Sequence, residues 1–368
     1  MAKICFLATG GTVSEAWDPV KESLVPIGNI DNLIDELKRR YDLDHDLGAE
    51  EIIREDSSNL SPEHHVLIGQ KIVEKSKEVG GIVLTHGTDT MTFTLSRLYH
   101  GLKNCPVPVV LTGSQVPPEE RNTDVFENLR YAIEIVEEGF DQPAIAFANN
   151  TYYAETVEKI STFDRRAFGN LDKRKTKPFR KLDKKSEEPF FDKSYSRRVE
   201  RYALKVGLNK KALEALLEES DGLVLEGFGA GNGSTELMEF LKKYLSDVPK
   251  PVVLSSRPWG PTDQTVYGTG KQFIETTFAD KDGRQTPLVA TSGDWRPEFC
   301  LVRLSYILGH EEIADFPVRK IQEIFLSGAQ VRNREKYEQI TGLRIYPSDL
   351  LQDKSFERVL KTGKVYSG

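Results

Sequence analysis

Cysteine is scarce in this sequence of 368 residues, and long apolar runs are missing. The three cysteines, Cys5, Cys105 and Cys300, are too widely spaced for a disulfide framework or a metal cluster. No apolar run is long enough to span a bilayer, and a first strand that starts by Ile4 leaves no room for a signal peptide. We therefore expect a cytoplasmic protein in a reducing compartment, without membrane contact.

An excess of basic charge is also missing. The net charge is −7, with 38% apolar and 29% charged residues. This balance is typical of a soluble globular protein and argues against general binding to nucleic acids or membranes. No internal repeat is found. The length of 368 residues indicates two domains, each able to bury a full core.

Two threonine-rich turns are the most informative feature that is present. Because ligands of open α/β sheets bind at the carboxyl ends of strands, both turns are expected at one site. Two hydroxyls with one carboxylate there favour nucleophilic chemistry, whereas a single such turn is more typical of an ordinary strand-to-helix turn with a capping threonine. The apolar run 4–8 precedes Thr9-Gly10-Gly11-Thr12, and the run 81–84 precedes Thr85-His86-Gly87-Thr88-Asp89-Thr90.

A threonine nucleophile needs a base, because its hydroxyl is weakly reactive at neutral pH. Lys159 is the candidate, since burial and neighbouring charges can lower the pKa of a lysine. It follows a strand predicted at 143–148 and is expected at the same sheet edge as the two turns. Its spacing alone does not favour this role over that of a surface lysine. His86, which precedes a glycine in a turn, is interpreted as structural.

Strand and helix patterns alternate from Ile4 to about Phe168, which predicts a parallel sheet with helices on both faces. A second α/β unit follows, with a glycine-rich turn at 227–233. The predicted helices cover 30–40, a stretch from Ser61, 90–101, 124–138, 209–219, 234–246 and 297–309. The other predicted strands cover 82–85, 107–112, 221–226 and 251–255.

Residues 172–201 differ in composition from both units, with 12 Lys and Arg against 6 Asp and Glu. We interpret them as a charged linker, with a contact to an anionic partner as the alternative. The predicted division is therefore an N-terminal domain over 1–171, the linker over 172–201, a C-terminal domain over 202–312, and a C-terminal extension of unknown role over 313–368.

Taken in order, these motifs resemble those of the bacterial-type L-asparaginase family, in its cytoplasmic, type I-like branch. The resemblance spans roughly residues 3–312. Several ordered motifs are far more specific than any one of them. The matching segments are 8–12, 56–63, 85–91, 111–115 with 123–129, Lys159 to Phe168, 229–232 and 292–295.

The resemblance implies an amidohydrolase that converts L-asparagine to L-aspartate and ammonia, often with weaker action on glutamine. Thr12 would attack the side-chain amide carbon and form a covalent acyl-enzyme. Thr88, Asp89 and Lys159 would handle the protons, and backbone N–H groups near Thr88 and Ser114 would stabilise the oxyanion. No metal or cofactor is implied.

The family's substrate contacts carry over to five positions here. Ser57 and Ser58 would hold the α-carboxylate and Asp89 the α-amine, with Ser114 and Asn232 completing the site. The turn that carries Asn232 resembles one that reaches a neighbouring subunit's active site. The implied architecture is α/β and two-domain, with a flavodoxin-like parallel sheet in the larger N-terminal domain and a smaller α/β C-terminal domain. A homodimer is the implied minimum, and a homotetramer, a dimer of dimers, is common.

One departure and two alternatives remain. Leu24 stands where the family usually has a tyrosine bonded to the nucleophile, with Tyr152 or Tyr153 as candidate substitutes.

The first alternative is a glutamine-hydrolysing, partner-dependent protein like the D subunit of the archaeal glutamyl-tRNA amidotransferase, although its extra N-terminal domain has no counterpart before residue 9. The second is a non-catalytic amino-acid-binding sensor, favoured by Leu24 and opposed by the complete Thr12, Thr88, Asp89 and Lys159 set.

Overall fold

The chain divides into two compact units, Met1–Lys193 and Ser194–Gly368. A computed structural model describes residues 3–11, 15–18, 23–26, 30–170, 187–258, 260–346, 348–352 and 355–362. Across these ranges, no helix combines the length and the apolar character that crossing a bilayer requires.

The N-terminal unit contains a six-stranded sheet, helices on both of its faces, and three short two-stranded ribbons. Its described elements are β1 (Ile4–Ala8), β2 (Glu15–Asp18), β3 (Ser23–Pro26), α1 (Ile30–Tyr41), β4 (Leu47–Glu51), α2 (Pro62–Lys75), β5 (Gly81–Thr85), α3 (Met91–Gly101), β6 (Leu102–Lys103), β7 (Val109–Thr112), α4 (Val125–Glu138), β8 (Ala144–Phe147), β9 (Asn150–Tyr153), β10 (Val157–Lys159), β11 (Phe168–Asn170) and β12 (Phe190–Phe191).

The large sheet has the strand order β4-β1-β5-β7-β8-β9, with every pair parallel except β8 and β9. Its parallel strands, taken in chain order, follow the 2-1-3-4-5 arrangement of flavodoxin-like folds. The predicted fold of this unit is therefore confirmed. The strand order reverses between β1 and β5, and ligands of such sheets bind at the carboxyl ends of the strands at that point.

Continuous burial explains why the central strands are apolar at nearly every position. All residues of β1, β5 and β7 are buried, as expected for a sheet covered on both faces. Phe6 of β1 packs with Leu37 of α1 and Leu129 of α4 in one core. Because side chains alternate across a strand, Cys5 and Leu7 point to the opposite face.

The C-terminal unit contains a parallel sheet in the order β13-β14-β15-β18. The predicted smaller α/β domain is therefore confirmed. Its elements are β13 (Val199–Ala203), α5 (Lys210–Glu219), β14 (Gly222–Gly227), α6 (Thr235–Asp247), β15 (Val252–Ser256), α7 (Gly268–Glu275), β16 (Thr277–Ala279), β17 (Gln285–Pro287), β18 (Ala290–Thr291), α8 (Pro297–Leu308), α9 (Val318–Leu326), α10 (Arg334–Thr341) and α11 (Ser355–Thr362).

The charged segment predicted as a linker contains β12 and the start of β13 in its C-terminal part. β12 pairs with β6 of the N-terminal unit, and the ring of Phe191 lies against Gly69 and Gly101. Strand β13 begins at Val199 and pairs in parallel with β14. Residues 171–186 lie outside the described residues. The two compact units meet in the sequence between Lys193 and Ser194.

Candidate active site

The turns after β1 and β5 lie against each other. Gly10 and Gly11 have φ of 92° and 81°, in the left-handed region that favours glycine. A Cβ on Gly11 would lie 2.5 Å from the Cα of Gly87, and a Cβ on Gly10 would lie 2.3 Å from the carbonyl oxygen of Glu55. Side chains at these positions would therefore separate the segments. Thr12, the residue that follows, lies outside the described residues.

A third segment, residues 55–58, completes this contact. The hydroxyl of Thr90 donates to the carbonyl oxygen of Ser57 at 2.8 Å, and a Cβ on Gly87 would lie 2.6 Å from the Ser57 Oγ. Ser57 is buried and Ser58 is exposed. The hydroxyl and the backbone N–H of Ser58 both donate to Asp56, and these bonds hold the pKa of that carboxyl below its usual range.

Lys159 meets the second turn through two side chains. Its Nζ donates to the Thr88 Oγ1 at 2.8 Å and to the Asp89 Oδ1. Thr88 is buried, whereas the Asp89 side chain is 66% exposed and that of Lys159 is 18% exposed. The predicted Thr88, Asp89 and Lys159 cluster therefore exists as a hydrogen-bonded group with an open carboxylate. The sequence does not predict which element carries Lys159. It lies on the β10–β11 ribbon and not on a strand of the large sheet.

Gln115 also contacts this cluster, although the sequence does not point to it as a site residue. The hydroxyl of Thr88 donates to the Gln115 Oε1 at 3.1 Å, while the Gln115 Nε2 donates to the carbonyl oxygen of Asp164 at 3.2 Å. The second bond fixes which end of the amide faces Thr88. The Thr88 hydroxyl thus accepts from Lys159 and donates to Gln115. The side-chain amide of Gln115 is neither a nucleophile nor a base, so side-chain chemistry does not mark it as a site residue. Only its position next to Ser114 in the sequence could have identified it.

The loop that carries Ser114 is held by one buried carboxylate. Backbone N–H groups of Gln115 and Val116 donate to Asp124 at 3.1 and 3.0 Å. The side chain of Asn128 donates to the same carboxylate at 3.0 Å. Ser114 is 1% exposed, and its hydroxyl has no hydrogen-bond partner among the described residues. A buried hydroxyl of this kind is expected to bond to something that enters the site.

His86 supports the second turn from behind, in agreement with the structural role predicted for it. Its Nδ1 bonds to the carbonyl oxygen of Gly87 at 2.7 Å, so Nδ1 carries the proton and Nε2 accepts from the Thr94 hydroxyl at 2.8 Å. The Thr94 oxygen then accepts from the His65 Nε2 at 3.1 Å. Burial lowers the pKa of His86 to about 4 and that of His65 to about 3.

Tyr152, one of the two candidate substitutes for the loop tyrosine, uses its hydroxyl inside the N-terminal unit. The hydroxyl of Tyr152 donates to the carbonyl oxygen of Phe168 at 3.0 Å inside the unit. Leu24 lies in β3, opposite Trp17 of β2 in an antiparallel ribbon. Tyr153 is buried as well. Within the described ranges, no group of three or more His, Cys, Asp or Glu side chains is arranged to hold a metal ion.

Asn232 lies in the C-terminal unit, in a tight turn after β14. Gly229 and Gly231 have positive φ values of 52° and 97°. The backbone N–H groups of Phe228 and Asn232 donate to each other's carbonyl oxygens at 2.8 and 2.7 Å. The side-chain oxygen of Asn232 accepts from the Thr269 hydroxyl at 3.3 Å. The turn is thus closed by its own backbone, and it presents a half-buried amide.

Both units match models of known domains. Residues 3–187 match the N-terminal asparaginase domain, and residues 198–325 match the glutaminase/asparaginase C-terminal domain. The chain belongs to the asparaginase family. The family expected from the sequence motifs is thereby confirmed, and the Lys159 cluster and the turn of Asn232 lie within the two matched domains.

Similar proteins agree with this membership of the asparaginase family. The L-asparaginase of Thermococcus kodakarensis is 31% identical over 340 residues, which cover 89% of this chain and 98% of that protein. A solved structure of the Thermococcus kodakarensis enzyme has a TM-score of 0.74, at 30% identity, over 87% of this chain and 97% of that one. The Campylobacter jejuni structure described as a probable cytoplasmic L-asparaginase has a TM-score of 0.69, at 26% identity, over 89% and 99%.

A second kind of relative is also similar. The D subunit of the glutamyl-tRNA(Gln) amidotransferase of Thermoplasma acidophilum is 28% identical over 326 residues, which cover 83% of this chain and 75% of that protein. This chain is therefore similar both to L-asparaginases and to a subunit of an amidotransferase.

Proposed function

We propose that this asparaginase-family chain hydrolyses L-asparagine to L-aspartate and ammonia through a Thr12 nucleophile. The observation that carries the proposal is the hydrogen-bonded group of Lys159, Thr88 and Asp89 at the carboxyl end of β5. It lies beside the glycine turn that leads directly to Thr12. A hydroxyl nucleophile needs a proton acceptor in reach, and this group supplies the candidates.

The proposed reaction has two steps. The Thr12 oxygen attacks the side-chain amide carbon, its proton passes through Thr88 and Lys159 to the departing nitrogen, and ammonia leaves an acyl-enzyme ester. Water then attacks the ester, gives aspartate and returns a proton to Thr12. Backbone N–H groups near Thr88 and Ser114 stabilise the oxyanion in both steps. No metal or cofactor takes part.

Substrate recognition in this proposal uses the polar groups around the two turns. Ser57 and Ser58 bind the α-carboxylate, and the exposed carboxylate of Asp89 binds the α-amine. The buried Ser114 hydroxyl, which lacks a partner among the described residues, supports its role as a substrate contact. Asn232 comes from the C-terminal unit of a neighbouring protomer.

We propose that the active form is a homodimer or a homotetramer in the cytoplasm. Exposed apolar side chains adjoin both parts of the site in the sequence. Ile160 and Phe163, at 45% and 91% exposure, follow Lys159. Phe228 precedes Asn232 by four residues and is 44% exposed, and Tyr267 in the same unit is 55% exposed. Side chains of this kind are typical of surfaces that a second protein chain covers.

A second candidate function is glutamine hydrolysis for a partner enzyme. The similarity to the D subunit of the glutamyl-tRNA(Gln) amidotransferase favours it. In that case ammonia would be made from glutamine, and turnover would depend on the partner.

The test is ammonia release from L-asparagine and from L-glutamine. Thr12→Ala should lower release from asparagine at least about 1000-fold, because the nucleophile is gone, and Thr12→Ser should retain part of the activity because it keeps a hydroxyl. Release from glutamine alone would favour the amidotransferase-like function. No release from either, with tight aspartate binding to a folded oligomer, would replace the proposal with the amino-acid sensor.

A further inference from the structure

The chain continues beyond the family's C-terminal domain, which ends at residue 325. This following segment carries α10 and α11. Its Tyr337, Leu350 and Leu351 are at most 1% exposed. Side chains buried to that degree belong to a core, so the segment is an integral part of the C-terminal unit.

An arginine of α8 anchors the segment where it begins. Arg303 is fully buried and donates to both carboxylate oxygens of Asp349 at 2.9 and 2.8 Å. It also donates to the carbonyl oxygens of Phe325 and Ser327, each at 2.8 Å. The two-pronged geometry of guanidinium and carboxylate fixes the pair in one orientation. Arg303 therefore holds the start of the segment, at Phe325 and Ser327, against Asp349 further along it.

From that anchor the segment reaches the loop at 262–265. Asn333, with a positive φ of 55°, donates from its Nδ2 to the Asp263 Oδ2 at 3.2 Å and to the Thr265 Oγ1 at 3.3 Å. The Thr265 hydroxyl donates in turn to the Asp263 Oδ1 at 2.6 Å. Tyr337 accepts the backbone N–H of Thr291 at 3.1 Å, which ties α10 to β18.

The loop at 262–265 in turn supports the turn of Asn232. The backbone N–H of Asp263 donates to the carbonyl oxygen of Ala230 at 2.9 Å. A Cβ on Gly231 would lie 2.5 Å from the Gln264 Nε2, so this side chain lies directly behind the turn. Asp263 is 5% exposed and Gln264 is 1% exposed. A continuous set of contacts thus runs from Asn333 to the residues just before Asn232.

We propose that the segment after residue 325 is a brace for the site, and that Asn333 is a positioning residue for Asn232. It acts through Asp263 and Thr265, without touching the substrate. The proposal rests on the proposed function in one respect, because Asn232 is taken to contact the substrate there. The brace itself depends only on contacts inside the C-terminal unit.

The cleanest variant is Asn333→Gly. Glycine keeps the left-handed backbone that Asn333 adopts and removes only the side-chain amide. We expect the KM for asparagine to rise about 2- to 10-fold, the range for loss of one hydrogen bond, with kcat nearly unchanged. Gln339→Ala, an exposed change on the helix that follows, should leave both constants as in the wild type.

Hydrogen exchange supplies a readout that does not need activity. In Asn333→Gly, the amides of residues 228–232 should exchange faster, and in Gln339→Ala they should not. Thr265→Val is the second variant, for use if Asn333→Gly folds poorly. It removes the hydroxyl that accepts from Asn333 and leaves Asn333 and its φ unchanged. It should give the same faster exchange at residues 228–232.

A double-mutant cycle separates positioning from general destabilisation. In an Asn232→Ala background, Asn333→Gly should add no further change in KM, because its target is gone. Unchanged exchange at 228–232, or an unchanged KM in an active wild-type background, would overturn the brace. An inactive wild-type protein would overturn the proposed function instead, and the exchange data would then decide on the brace alone.

Discussion

At the scale of single residues, hydrogen-bond direction decides what the Thr88 hydroxyl can do. Lys159 donates to it and Gln115 accepts from it, so its proton points away from Lys159. For Thr88 to take part in proton transfer, this arrangement must change when the substrate enters.

Two histidines behind the site should make the stability of the fold sensitive to mild acid. The native pKa values are about 4 for His86 and about 3 for His65, whereas both ionise near pH 6.5 in an unfolded chain. Between about pH 4 and pH 6.5 the unfolded chain therefore binds protons at these histidines that the native chain does not bind. The free energy of unfolding should fall as the pH drops from about 6.5 towards 4, by on the order of 2–3 kcal/mol for the fully buried His86.

Urea unfolding at pH 7, 6, 5.5 and 5 measures this slope. His65→Gln should reduce the slope, since glutamine can still donate to Thr94 but does not titrate. The remaining slope would then come from His86. If the free energy of unfolding falls equally steeply with pH in wild type and His65→Gln, the prediction for His65 is contradicted. If it does not change with pH in either protein, the prediction is contradicted for both histidines.

At the scale of secondary structure, the carboxyl ends of neighbouring strands are tied together by a helix side chain. Asn128 of α4 donates to the carbonyl oxygen of Gly113 at 2.9 Å and accepts the backbone N–H of Ala148 at 2.9 Å. These residues follow β7 and β8. One amide thus holds the loop of Ser114 against the end of the next strand.

Asn128→Ala should lower the free energy of unfolding by about 2–4 kcal/mol, because the buried carbonyl of Gly113 and the half-buried N–H of Ala148 both lose this partner. Activity should fall as well, since the loop of Ser114 loses one of its supports. Chemical denaturation and ammonia release measure the two effects. Glu127→Ala, an exposed change one residue earlier on the same helix, is the matched control, and equal stability of the two variants would refute the prediction.

At the scale of the whole molecule, a buried charge pair secures the part of the chain beyond the family's C-terminal domain. Arg303 is paired with Asp349, and its guanidinium also lies 4.6 Å from the centre of the Trp295 ring. The helices beyond residue 325 are held to the C-terminal unit in this way. Loss of the pair should loosen the segment and the loops that it contacts.

Arg303→Met should destabilise the C-terminal unit by about 3–5 kcal/mol, because the carboxylate of Asp349, 12% exposed, loses the guanidinium that balances its charge. Arg303→Met combined with Asp349→Leu should recover part of this loss, since no unpaired charge remains. Urea unfolding followed by tryptophan fluorescence reports on the change. A double variant no more stable than Arg303→Met alone would show that the charge pair is not the cause.

The strand and helix pattern, the two turns and the family can all be read from the amino-acid sequence. Apolar runs identify doubly covered strands because every position is buried, and glycines identify the turns because only they readily accept the required φ. The proposed reactive set of Thr12, Thr88, Asp89 and Lys159 could be named from side-chain chemistry and family motifs. Of these residues, the structure brings Thr88, Asp89 and Lys159 together, while Thr12 and its role stay a prediction.

The residues that hold the site in shape emerge only from the folded chain. Gln115, Asp124 and Asn128 act through directed hydrogen bonds, and direction is not encoded in composition or periodicity. The support of the Asn232 turn by Asn333 joins residues about a hundred positions apart. Such contacts exist only once the chain is packed, because each depends on where separate segments meet.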